Sequence, residues 1–453
     1  MLPIPEYFRR DVYPRLPALI KKVGPTFHYY NKPGIVRIAK AMKVAFAQIP
    51  YRQYFAVKAC PEPYIVDFLI NELHFGNDCS SIGEAAMVRA LGARGEDVIY
   101  NSNDTSEEEF LFAMKDEDCM LGVDDISFLP LIPIFPKRFF ARINSGKRLV
   151  TPDGNVIGDP YYAKYGITYG QIIPAYKMAK RRGAKEFGIH IMVCSNDRHA
   201  THFVETARFT LEIAALLYRK LRIRVKWIDI GGGFGTPYRP ADPELNIDWI
   251  GGKISKLFID FAAQYGWMPI LMTECGRFVT APHGILVNPV LHVMQKHRHF
   301  IGVPAAMTGC PRPAFYKAYH HIDVLTPKGN LRRGLRHFTN VVGPKCENWD
   351  RLTATSSTTV CPECGHIEHT NGERLLPWSI QRGDILVTGN TGAHCHMDGN
   401  YNFRLLLAGI LDQDGTNENT ILIRKPQKNI DLFRQTIFPS GKRELLERLL
   451  ENS

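Results

Sequence analysis

Between residues 50 and 280 eight short β-rich runs recur, each followed by a segment with helical spacing, and this alternation restricts the possible folds of the chain more than any other feature. The runs are YFAVKA (54–59), FGNDCSS (75–81), VIYNSN (98–103), MLGVDD (120–125), RFFARIN (138–144), FGIHIMV (187–193), WIDIGGGF (227–234) and ILMTECG (270–276). Intervening segments such as EPYIVDFLINEL and THFVETARFTLEIAALLYRKL place their apolar residues on helical faces. Eight strands alternating with helices favour an α/β architecture closed into a parallel (β/α)8 barrel over an open sheet. The fifth unit tolerates a long connection, residues 145–186, with a polar loop around Asp153, Gly154 and Asn155.

Past about residue 285 the texture changes to β-rich runs separated by Pro and Gly, among them HGILVNPVLHVMQ, HHIDVLT, DILVTGN and NTILIRK. These predict a second, mostly antiparallel sandwich or barrel domain, to which FHYY near the N-terminus can add a strand. The expected boundaries are a barrel over 33–283 and a β-domain formed by 1–32 and 284–453, with an insertion at about 351–372.

Charge and cysteine content narrow the function classes. The net charge of +11 is carried by short basic groups such as Lys180-Arg181-Arg182 and Arg332-Arg333. Without interleaved aromatics they read as solvated surface rather than a nucleic-acid module. No window reaches the roughly 18 apolar residues of a membrane span, and the N-terminus MLPIPEYFRRDVYPRLPALIKK lacks the apolar core of a signal peptide. Ten scattered cysteines suit reduced thiols, so the expected compartment is the cytoplasm.

In a barrel the reactive groups sit where strands end. Polar residues cluster there: Lys58, Asp78 and Ser80, Asn103, Asp125, Asn144, His190 and Ser195, Gly231-Gly232-Gly233, and Glu274 with Arg277. Burial of an unpaired lysine lowers its pKa, as a Schiff-base amine requires, although a lysine at a strand end is often merely structural. Three glycines after a strand let backbone N–H groups approach an anion, and they serve equally well as a tight turn. Glu274 and Arg277 form either a functional pair or an ordinary surface ion pair.

Lys58, the glycine run and Glu274 together resemble the fold-type III pyridoxal-phosphate decarboxylases, the family of ornithine, arginine and diaminopimelate decarboxylases. YFAVKA is similar to the family's cofactor-lysine strand, IDIGGGFG to its phosphate loop and TECGR to its Glu-x-Gly-Arg element, with Cys275 in place of proline. PRPAFYKAYHHI (311–322) and GPKCENWD (343–350) resemble segments of the diaminopimelate branch. The resemblance implies pyridoxal 5'-phosphate as cofactor, held by Lys58, His190, Ser195, Gly231, Gly232, Gly233, Glu274, Gly276, Arg277 and Tyr401. It further implies that Arg277, Arg312 and Tyr316 bind the distal carboxylate of an amino-acid substrate and Glu347 its distal ammonium. Cys346 would be the proton donor, reaching the site from the other subunit of a homodimer. The implied reaction is meso-diaminopimelate to L-lysine and carbon dioxide, with another amino acid or a silent relative as alternatives.

Three positions depart from the family pattern. Met192 stands where many relatives have a ring-stacking histidine, Gly392-Ala393-His394 replaces Gly-Ala-Tyr ahead of Asn400-Tyr401-Asn402, and Pro304 replaces an aspartate. Within the insertion, Cys361, Cys364, His366 and His369 offer zinc-type ligands, with a plain polar loop as the alternative.

Overall fold

A computed structural model of the chain describes residues 3–115, 119–149, 160–354, 358–360, 367–369, 373–395, 407–416, 418–428 and 431. They divide into two compact units, one of residues 34–236 with 243–280, the other of the remaining segments.

The first unit is a closed barrel of eight parallel strands: β1 (Tyr51–Ala56), β2 (Gly76–Cys79), β3 (Val98–Tyr100), β4 (Met120–Val123), β5 (Arg138–Arg142), β6 (Glu186–His190), β7 (Trp227–Asp229) and β8 (Ile270–Glu274). Tyr51 of β1 pairs with Leu271 of β8 and closes the ring. The interior is filled by Tyr54, Ile99, Met120, Phe140, Trp227 and Met272, with Phe140 and Trp227 stacked at 5.5 Å between ring centroids. Gly188 makes room for this layer, since a Cβ there would lie 2.1 Å from the Phe140 ring.

That filled layer fixes where polar groups belong. Side chains alternate along a strand, so the residue two positions beyond each interior residue also faces inward, one layer nearer the C-terminal end. Ile99 is followed in this way by Asn101, Phe140 by Arg142, Gly188 by His190, Trp227 by Asp229 and Met272 by Glu274. The barrel therefore carries a polar layer directly above an aromatic one. Helices wrap the outside, among them Ala200–Leu221 and Ile247–Tyr265. Glu107–Met114 begins with a capping box between Ser106 and Glu109.

In the second unit, a six-stranded sheet runs in the order Ile322–Leu325, Ile385–Thr388, Gly284–Pro289, Phe27–Asn31, Ala408–Asp412, Thr420–Arg424. The strand Phe27–Asn31 pairs antiparallel with Gly284–Pro289 and parallel with Ala408–Asp412. A four-stranded sheet comprises His292–Gln295, His299–Gly302, Arg336–Val342 and Arg374–Pro377. Phe8, Val12 and Leu16 pack with Phe27, Val287 and Ile410 in one core cluster. Asp323 ties the N-terminal segment to the six-stranded sheet, accepting from Arg9 Nε at 3.0 Å and Tyr13 Oη at 2.8 Å. In the insertion, Thr358–Val360 pairs with Ile367–His369. Cys361, Cys364 and His366 lie outside the described residues, as does the His369 side chain. Among the described residues no helix is long and apolar enough to cross a membrane.

Candidate active site

The polar layer of the barrel converges on two buried carboxylates. His190 Nε2 lies 3.3 Å from Glu274 Oε2, and Asn101 Nδ2 reaches Glu274 Oε1 at 3.4 Å and His190 Nδ1 at 3.2 Å. His190, Asp229 and Glu274 present atoms within 4.8 Å of one another. Asp229 Oδ1 accepts the Gly231 N–H at 2.8 Å, while its Oδ2 is buried with no donor among the described residues. Two carboxyl groups this close and this dry do not both ionise. Burial and the Glu274 charge push Asp229 well above the ordinary aspartate range, making it the protonated member. Burial also raises Glu274, but the His190 and Lys58 charges outweigh it and hold Glu274 ionised, below the usual carboxylate range.

Lys58 sits in a single helical turn, Val57–Ala59, directly after β1. Its Nζ donates to Asp78 Oδ2 at 2.6 Å, and the lysine side chain keeps 48% of its accessible surface while Asp78 keeps 1%. The sequence-based expectation of a buried lysine with a lowered pKa is therefore corrected. Burial does pull the amine down, but Asp78 and then Glu274 outweigh it, and the net shift is upward. Asp78 in turn is raised by burial and by the Glu274 charge. The amine is reachable and charged, held against a carboxylate able to take up a proton.

Backbone geometry explains the glycine run. Gly231 and Gly233 adopt φ of +70° and +85°, which disfavour any side chain, and a Cβ on Gly232 would stand 2.5 Å from the Glu274 carbonyl oxygen. A Cβ on Gly276 would stand 2.5 Å from Ala59 Cβ, so the segment after β8 also lies close to the Lys58 turn. Met192 packs its sulfur 3.3 Å from the Gly232 nitrogen. Arg277 is buried and donates from Nη2 to Ser195 Oγ at 3.3 Å. Glu274 and Arg277 are both buried, so they are not a surface ion pair.

Other strand-end residues are spent locally. Asp125 caps the turn Ile126–Leu131, Asn144 donates to the Pro160 and Tyr165 carbonyls, and Asn103 accepts from Arg142. Asn101 and Asp229, which no strand-end pattern in the sequence singles out, stand in the site instead. Their signal is the two-residue step beyond Ile99 and Trp227.

Arg312, Tyr316, Cys346 and Glu347 belong to the second unit. Arg312 opens the short helix Arg312–Tyr316, is buried, and bonds His320 Nε2 at 2.9 Å, whereas Tyr316 is exposed. Cys346 is exposed, unlike the other described cysteines, so it is not a structural core thiol. The Glu347 carboxylate accepts the Trp349 N–H at 3.0 Å. Tyr401 lies outside the described residues.

A reachable amine, an ionised buried carboxylate and a tight glycine loop on one barrel fit pyridoxal 5'-phosphate. Residues 33–281 match the family described as "Pyridoxal-dependent decarboxylase, pyridoxal binding domain", and the chain belongs to this family. It is a lyase, a pyridoxal-phosphate-dependent amino-acid decarboxylase. Protein TabA of Pseudomonas amygdali pv. tabaci is 33% identical over 414 residues, covering 91% of this chain and 92% of that protein. A diaminopimelate decarboxylase of Thermoplasma acidophilum is 29% identical over 387 residues, covering 85% and 87%. The crystal structure of diaminopimelate decarboxylase from Helicobacter pylori complexed with L-lysine superposes with a TM-score of 0.78 at 24% identity, covering 92% and 98%.

Proposed function

We propose that this chain decarboxylates meso-diaminopimelate to L-lysine. The observation that carries the proposal is the exposed Cys346 beside Glu347, in a segment resembling that of the diaminopimelate branch, together with the buried Arg312. Relatives named diaminopimelate decarboxylase, aligned over most of the chain, support the same substrate.

In this proposal Lys58 would hold the cofactor through Nζ, and Asp78, which accepts from that Nζ, would take up or return its proton. Glu274, ionised among His190 and Asn101, would keep the cofactor's ring nitrogen protonated. Gly231, Gly232 and Gly233 would hold the phosphate, and Ser195, Gly276, Arg277 and Tyr401 would complete the cofactor site. Pyridoxal 5'-phosphate supplies the conjugated ring that accepts the electron pair released as carbon dioxide leaves. Arg277, Arg312 and Tyr316 bind the distal carboxylate, Glu347 binds the distal ammonium, and Cys346 Sγ delivers a proton to Cα. Cys346 and Glu347 act in the site of a second copy of the chain, in a homodimer.

One observation favours a second reading: TabA, at 33% identity, is more similar to the chain than the Thermoplasma acidophilum diaminopimelate decarboxylase, at 29%. Met192 and His394, departures from the family pattern, leave room for another amino acid such as ornithine or lysine, or for a catalytically silent relative. Carbon dioxide release from meso-diaminopimelate, with ornithine and lysine as competing substrates and Lys58→Ala as control, decides between them. Release from diaminopimelate alone, lost in the variant, is the expected result. Release from ornithine or lysine but not from diaminopimelate overturns it.

A further inference from the structure

The second unit contains a buried cation that no anion among the described residues neutralises. Arg374, at the start of the strand Arg374–Pro377, keeps 8% of its accessible surface. Its Nη1 donates to the Glu373 backbone carbonyl at 3.4 Å, while Nε and Nη2 have no partner among the described residues. A buried guanidinium with two donors unmet costs several kcal/mol unless an anion completes it. The Tyr319 ring offsets part of this, but a second cation, Arg239, shares the same ring. Arg374 Cζ lies 4.0 Å from the Tyr319 ring centroid and Arg239 Cζ lies 4.4 Å from the same centroid. The residues beside Arg239 and Tyr319, namely Tyr238 and His320, engage Arg312: its Cζ lies 4.9 Å from the Tyr238 ring and its Nη1 bonds His320.

The carboxylates of Glu373 and Asp323 are committed elsewhere. Glu373 accepts from Asn340 Nδ2 at 3.3 Å, and Asp323 is engaged by Arg9, Tyr13 and His321. Two guanidinium groups braced on one phenol ring, one buried and one exposed, present planar forks of the kind that bind carboxylate or phosphate in a bidentate manner. The exposed Arg239 gives an anion a way in from solvent.

We propose that Arg374 and Arg239, braced on Tyr319, form a binding site for the carboxylate or phosphate group of a small molecule. The anion belongs to a separate small effector, because the distal carboxylate of the proposed substrate is taken by Arg277, Arg312 and Tyr316. The site stands on the second unit's own geometry and holds whichever amino acid the enzyme decarboxylates.

The test uses holoenzyme saturated with pyridoxal 5'-phosphate, with inorganic phosphate and malonate as probes, read by calorimetric titration and initial rates. One or both probes bind the wild type, and Arg374→Gln weakens that binding at least about tenfold, with Arg239→Gln showing a smaller loss in the same direction. As a separate effector, the probe binds without competing with substrate and Arg374→Gln leaves KM unchanged. Malonate that competes with substrate, with Arg374→Gln raising KM about tenfold at little change in kcat, would overturn the effector assignment. Should Arg374→Gln fail to fold, the exposed Arg239→Gln carries the test. Variants that bind both probes as the wild type does overturn the proposal, as does a wild type that binds neither probe. Because the titration needs no substrate, failure here is distinguishable from failure of the diaminopimelate assignment.

Discussion

Replacing Gly232 with alanine puts a methyl group where the fold has left no space for one. The added Cβ would stand 2.5 Å from the Glu274 carbonyl oxygen, against the 3.4 Å at which ordinary contact begins, so β8 or the glycine loop must yield by about 0.9 Å. Glu274 is held by contacts of 3.3 Å and 3.4 Å to His190 and Asn101, and a shift of that size breaks either. Overpacking of this kind costs about 1–3 kcal/mol. If it falls on the cofactor-binding conformation, the Kd for pyridoxal 5'-phosphate rises roughly 5- to 150-fold. Absorbance titration of the apoenzyme measures it directly. Gly252 is the matched control: it lies in the exterior helix Ile247–Tyr265, and a Cβ there meets nothing within 4 Å. Gly252→Ala should stabilise the protein by about 0.5–1 kcal/mol and leave cofactor affinity alone. A Gly232→Ala enzyme with wild-type cofactor affinity and turnover would refute the assignment of a close-packed, functional loop.

Further outcomes follow from the electrostatics. Glu274→Gln removes the charge that keeps Asp229 protonated and should lower kcat by roughly 10²-fold or more with Lys58 still able to bind cofactor; unchanged turnover rules out its role. Cys346→Ser should lower kcat by roughly 10²-fold without altering the cofactor absorbance band, and equal rates would remove it as proton donor. Burial raises the pKa of Asp323, but His321 and Arg9 outweigh it and bring it to about 2, below the ordinary 3.8. A depressed folded-state pKa gives stability that is complete above about pH 4 and is lost as pH falls toward 2. Asp323→Asn should therefore cost about 2 kcal/mol at pH 7 and much less near pH 2, as read from denaturant midpoints at both pH values.

The barrel is legible in the sequence because parallel strands covered on both faces read as short apolar runs, and eight of them alternate with helical segments. Lys58, His190, the glycines and Glu274 are legible because each ends such a run. Asn101 and Asp229 are not, for a physical reason. Both faces of these strands are buried, so Trp227 and Ile228 are equally apolar and the sequence does not say which one points inward. Without that phase, Asn103 looks like the polar end of β3, and Asn144 and Asp125 look no different from His190. The charge state of Lys58 is hidden as well, because a strand-like sequence suggests burial, and the helical turn after β1 instead leaves the side chain half open beside Asp78. Arg374 has no sequence signature at all, since only its neighbours' commitments show it to be unmatched.

The sheet pairing of Phe27–Asn31 has a consequence for the protein's birth on the ribosome. One of its two partners, Ala408–Asp412, is made about 380 residues later. At roughly 5–20 residues per second, the N-terminal strand waits on the order of 20–80 s after its own synthesis, while every strand of the barrel emerges in the interval. During that wait FHYYN is an aromatic segment with an open edge, the kind of sequence that seeks another chain. Premature termination before residue 408 would thus leave the beginning of the molecule exposed as well as removing its end, and such fragments should aggregate even when they contain the whole barrel.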